Sequence, residues 1–201
     1  MMGGPAAEKF ENLARDVRVQ RALLADLLSG VREREREAYL LFEFAANCTE
    51  ASSRRIRFVE LLRHTGSRIQ AIEALIQALG GTIEYRGQMS RLGVFRNHRL
   101  LEIVGLNGAV SPRLMEVALL EAVAGTLNDC QASWRLLRHL AQRLPSSTSR
   151  HAFERSTAEL EPLEQDLIWA QVAWEEELLG QVVGDQEPLL PDPWEESPLI
   201  G

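Results

Sequence analysis

Side chains able to do chemistry are few in this chain, and helical periodicity decides where they fall. Glu35, Glu121 and Glu164 each lie on the apolar stripe of a different helical segment, and Glu60 and His64 stand four residues apart on one face of another. Inward-facing carboxylates joined by an imidazole can hold hard metal ions or move protons. A buried carboxylate without a partner is strongly disfavoured, so an arginine or a metal must answer each such acid. Elsewhere the sequence offers little. His98, His139 and His151 are scattered without ligand spacing, and Cys48 and Cys130 read as small buried residues with no Cys-x-x-Cys pairing. No glycine-rich phosphate loop, nucleophile elbow or His-Glu-x-x-His is present.

Four long helical patterns must position these groups, so the predicted fold is all-α. The first spans about residues 12–48, with Leu24, Leu28, Val31, Glu35, Ala38, Phe42 and Ala45 on one face and Gly30 as a candidate kink. The second spans about 53–80, opening after the turn and cap residues Thr49 to Ser53. Its expected stripe is Ile56, Val59, Leu62, Gly66, Ile69, Glu73, Ile76 and Leu79, and Gly80-Gly81 stops it. The third, about 112–144, begins at Ser111-Pro112 and carries Leu114, Val117, Glu121, Leu127, Trp134 and Leu137 inward. The fourth, about 150–183, is expected to kink or divide near Pro162, with Phe153, Leu160, Leu163, Leu167, Trp174 and Leu178 on its face. Residues 81–111 are too many for a tight turn and suffice to travel the length of a bundle, with a short amphipathic helix around Met89, Leu92, Phe95, Leu100, Ile103 and Val104. Short, long and short connections are the pattern of a four-helix bundle with one crossover between its second and third helices.

Charge is divided along the chain. The net charge is -7, yet the first 153 residues sum to +5 and the rest to -12. In a crossover bundle the second and fourth helices are antiparallel neighbours. That sets Arg54, Arg55, Arg57, Arg63 and Arg68 against Glu159, Glu161, Glu164, Asp166 and Glu175 to Glu177. No basic run interleaves with aromatic residues, so a nucleic-acid partner is not expected. No apolar run is long enough to span a membrane, the first residues lack a secretory pattern, and two cysteines fit a reducing compartment. A cytoplasmic protein is the expectation. Residues 184–201 form an acidic tail with four prolines, in which Leu189, Leu190, Trp194, Leu199 and Ile200 are more apolar anchors than a spacer needs. Such a segment suits docking on a partner or on its own body.

The stretch Leu27-Leu28, Glu37-Ala38-Tyr39 and Phe58 to Gly81, ending in Ala78-Leu79-Gly80-Gly81, resembles ferritin-like four-helix bundles. It is closest to a bacterial family of unknown function, sometimes linked to stress. The resemblance covers about residues 20–180. It implies a di-iron site built from a Glu on each of two helices and a Glu-x-x-His on each of the others. Glu35, Glu60, His64, Glu121 and Glu164 are the candidate ligands, but Glu60-x-x-Arg63 and Glu161-x-x-Glu164 lack the histidines that the pattern requires. The leading expectation is therefore a non-catalytic or degenerate ferritin-like bundle, a homo-oligomer or partner binder without a cofactor. Two alternatives stay open: an iron-binding ferroxidase or storage protein, and a binder of anionic polymers through its arginines.

Overall fold

A computed structural model of the chain describes residues 21–91, 112–143 and 147–183, and all regular secondary structure among them is helical. The helices are α1 (Arg21–Cys48), α2 (Ser52–Ala78), α3 (Pro112–Arg143), α4 (Ser147–Ser156) and α5 (Leu160–Val183). One 3-10 turn, Thr157–Glu159, joins α4 to α5. The expected start of the first helix at residue 12, His98, most of the connection 81–111 and the tail anchors Leu189, Leu190, Trp194, Leu199 and Ile200 lie outside the described residues.

Helix α1 forms as its periodicity demands. All seven residues of its stripe are buried, Glu35 among them. Each large apolar side chain on it contributes about 1.5–3 kcal/mol through burial. The helix is unbroken at Gly30, which is there for space and not for bending. A Cβ on Gly30 would lie 2.9 Å from that of Met89. The helical turn at residues 88–91 rests on α1 at this point. Asp26 Oδ1 accepts from the Met89 amide at 2.9 Å, and Ser29 Oγ accepts from the Gly87 amide at 3.3 Å.

Helix α2 is rotated from its expected setting. Its core face is Phe58, Leu61, Thr65, Arg68, Ile72, Leu75 and Leu79; of the expected stripe Ile76 and Leu79 are buried, while Ile56 and Val59 face solvent. An equally apolar stripe loses because Arg68 must turn inward to meet buried carboxylates. No side chain caps the start: Ala51 is the N-cap residue, and its carbonyl accepts from the Arg55 amide. The end follows the sequence expectation. Gly80 takes φ 78°, its amide bonds the Gln77 carbonyl and the Gly81 amide bonds that of Ile76, which closes the helix in a Schellman motif.

Bonded pairs give the helix directions. Glu35 meets Trp134 and Thr49 meets Glu116, so α1 and α3 are antiparallel. Glu35 meets Arg68 while Arg55 reaches the Thr49 carbonyl, so α1 and α2 are antiparallel. Arg54 meets Glu177 and His64 meets Asp166, which makes α2 and α5 antiparallel as well. Arg54 also bonds Glu116, so the first turns of α2 and α3 share one end of the molecule. The fourth helical segment divides, as Pro162 led us to expect. The break falls at residues 157–159 and leaves Pro162 in the first turn of α5, where no helical hydrogen bond is lost. Helix α4 packs on α2 and α3 through Phe153 and Ala152.

Candidate functional site

The centre of the structure is a polar cluster contributed by four helices. Glu35 of α1 and Arg68 of α2 are fully buried, and Arg68 Nε donates to Glu35 Oε2 at 2.9 Å. Trp134 of α3 donates through Nε1 to the other carboxylate oxygen at 2.6 Å. Arg68 also donates to Thr65 Oγ1 at 2.7 Å, and its NH1 lies 3.7 Å from Asp166 Oδ2 of α5. Asp166, itself buried, is held by His64 Nδ1 at 2.9 Å, and His64 Nε2 sits 2.8 Å from Arg63 at the surface. A chain of contacts thus runs from Trp134 in the core to Arg63 in solvent.

One cation between two carboxylates satisfies this cluster electrostatically. Burial works against the charge on Arg68, yet the adjacent Glu35 and Asp166 outweigh it and hold the guanidinium more firmly protonated than usual. Cys130 is buried beside the same groups. Exclusion from water, and then the Glu35 carboxylate, push its thiol pKa well above the ordinary value. This thiol is therefore a packed apolar group and not a nucleophile.

The candidate ligands divide. His64 lies against Asp166, and Glu35 is answered by Arg68, so these two join the cluster. Glu60 pairs with Arg57 on its own helix, and Glu164 pairs with Arg135 of α3 at 3.3 Å near the surface. Glu121 is exposed, contrary to its expected place on the core stripe, because the α3 face that packs inward is Leu120, Val123, Leu127, Cys130, Trp134 and Leu137. The five do not converge. Among the described residues no three His, Cys, Asp or Glu side chains are grouped to hold a metal ion. The residues present do not fit a pair of iron ions, since a guanidinium occupies the space between Glu35 and Asp166.

One expectation about a single residue changes: Cys48 is exposed and not buried. His139 and His151 are exposed, as expected of surface residues, and His151 pairs with Glu154 one turn away. The opposed charges on α2 and α5 do meet at Arg54–Glu177 and Arg68–Asp166, but Arg54 is shared with Glu116 of α3. Sequence reasoning missed Arg68, Asp166 and Trp134 as a unit. The available signal was the run Phe58, Leu61, Thr65, Arg68, Ile72, Leu75 and Leu79, whose alternating three- and four-residue spacing places Arg68 in line with the core.

An apolar cleft of about 390 Å³ opens where α1 begins and α2 ends, lined by Ala22, Leu28, Ile76, Gly80 and Tyr85 among others, with no charged side chain among the described residues of its wall. It offers shape without a reactive group. No described helix is long and apolar enough to cross a membrane. Comparison of the chain with protein-family models and with curated proteins finds no match to either.

Proposed function

We propose that the chain is a degenerate ferritin-like four-helix bundle that acts through self-assembly or partner binding rather than catalysis. The observation that carries this reading is Arg68. A permanent cation stands between Glu35 and Asp166 at the centre of the helices, where a carboxylate bundle would otherwise need a metal. The helix directions support the architecture. Helices α2 and α3 begin at the same end, which is the setting a long crossover between them requires and a simple up-and-down bundle lacks.

The function then resides on the surface, and the anchor-bearing tail at residues 184–201 is one surface element offered to a partner. A cytoplasmic location belongs to this proposal. The di-iron alternative would require Glu121 to turn from solvent toward Glu35. Elemental analysis of the purified chain is the test. The proposal expects iron well below one atom per chain after growth in iron-rich medium; two atoms per chain would sink it.

A further inference from the structure

His64 stands near the middle of α2, and the contacts on its two ring nitrogens fix its state. Inward, Nδ1 lies 2.9 and 3.1 Å from the two carboxylate oxygens of Asp166, whose side chain is 2% exposed. Outward, Nε2 lies 2.8 Å from a terminal guanidinium nitrogen of Arg63. A guanidinium can only donate. Nε2 is therefore the acceptor, and the ring proton sits on Nδ1 and is donated to Asp166. This tautomer turns the Nε2 lone pair outward, in a side chain that is 21% exposed.

The acid behind the ring is itself fixed. Arg68 NH1 stands 3.7 Å from Asp166 Oδ2, and Arg68 is tied in turn to Glu35 and Thr65. Leu61, Thr65 and Arg68 hold this stretch of α2 in the core. A site on a packed helix, backed by a buried partner, keeps its geometry. The other described imidazoles lack such support. His151 has a carboxylate at Nδ1, Glu154 at 3.1 Å, but the two side chains are 74% and 53% exposed. His139 is exposed on α3.

An imidazole set in this way is a nucleophile. A buried acid on one nitrogen fixes the tautomer, and it stabilises the imidazolium that forms when the other nitrogen takes an electrophile. The cation beside Nε2 selects the electrophile. A guanidinium matches phosphoryl oxygens, and it pairs with them through two parallel hydrogen bonds. Arg63 is exposed, so its guanidinium can leave the lone pair and stay beside the incoming group. The sequence has no glycine-rich loop to hold a nucleotide, so the donor must bring a phosphoryl group that is already activated. A P–N donor exchanges one such bond for another.

We propose that Nε2 of His64 is a phosphoryl-acceptor site that takes its group from a phosphoramidate donor. The Nε2 lone pair forms a bond to phosphorus as the P–N bond of the donor breaks. The leaving nitrogen takes a proton from solvent and departs as an amine, and nothing is oxidised or reduced. The Nδ1 proton stays between the ring and Asp166, and the phosphoryl oxygens pair with Arg63.

The test incubates the folded full chain with potassium phosphoramidate at neutral pH. Phosphorus NMR follows the adduct, and peptide mass spectrometry under alkaline conditions, in which phosphohistidine survives, locates it. The expected result is a phosphoryl group on His64, formed at least about tenfold faster than on His139 or His151. In urea, where Asp166 and Arg63 no longer flank the ring, that preference should vanish. Arg63→Met changes an exposed side chain and should slow labelling of His64 at least about tenfold, with helix content unchanged by circular dichroism. Arg63→Lys, which keeps the charge without the planar fork, should recover part of the rate. Asp166→Asn should slow His64 alone and leave the rates at His139 and His151 as they were. Absence of label, label chiefly on another histidine, a preference that persists in urea, or an Arg63→Met chain labelled as fast as the parent would each overturn the proposal.

Discussion

Arg68 and Glu35 form an ion pair at 2.9 Å in which neither side chain is accessible to solvent. A pair so placed is asymmetric in its consequences. Its net contribution to stability is small, because both charges were removed from water, but loss of one member strands the other.

Arg68→Met should therefore destabilise the fold by about 3–5 kcal/mol, leaving Glu35 and Asp166 buried without their cation. Glu35→Gln alone should also be costly, while the double variant Glu35→Gln with Arg68→Met should cost less than the sum of the two. Urea titration followed by tryptophan fluorescence is suited to this, since Trp134 Nε1 bonds Glu35 directly. Strict additivity would show that the pair is not coupled.

The two thiols should behave differently. Cys48 is exposed and should react with a disulfide reagent in the native state, whereas Cys130, buried with a strongly raised pKa, should react only on unfolding. A group whose pKa is raised by folding supports stability below its unfolded value and loses that support as pH rises through it. Stability should thus decline above about pH 9.0, the ordinary thiol value, and Cys130→Ala should flatten that decline. Equal slopes for the two proteins would refute the assignment.

Glycine replacements should change sign with position. A Cβ added at Gly125 in α3 would meet no atom within 4 Å, so Gly125→Ala should stabilise by about 0.5–1 kcal/mol through helix propensity. Gly30→Ala should do the reverse by about 1–3 kcal/mol, because its Cβ meets Met89 at 2.9 Å. Gly87→Ala should also destabilise, since its Cβ would fall 1.8 Å from Asp26 Oδ1. Midpoints of thermal unfolding rank the three.

Arg54 joins α2 to α3 and α5 through Glu116 and Glu177, each at 2.6 Å. The three side chains are partly exposed, so Arg54→Met should cost about 1–2 kcal/mol at low salt and less at high salt. A loss that does not diminish in about 1 M salt would mean that packing of the side chain, not charge, holds the ends together.

Much of this fold was legible from apolar spacing. The α1 stripe is buried residue for residue, and the stop at Gly80-Gly81 and the division near Pro162 were read from backbone preferences that act locally. The setting of α2 was not legible from hydrophobicity, because the stripe through Ile56 and Val59 is as apolar as the one that is buried. What decides between them is a long-range demand: a cation is needed inside to answer Glu35 and Asp166. Glu35 could be picked out from its own position on a stripe. Its partners could not, since Arg68 and Trp134 lie 33 and 99 residues away and reach it only once α1, α2 and α3 are assembled.

The antiparallel setting of α1 against α2 and α3, and of α2 against α5, has an electrical consequence. Each helix carries a macrodipole, and each of these runs head to tail against its neighbours. The amide ends of α2 and α3 share one end of the molecule with the carbonyl ends of α1 and α5, so their fields largely cancel there. Arg54, in the first turn of α2, would be repelled by its own helix terminus but sits beside the carbonyl end of α5 and bonds Glu177. With the dipoles opposed, the electric field at the core comes chiefly from Glu35, Arg68 and Asp166 themselves.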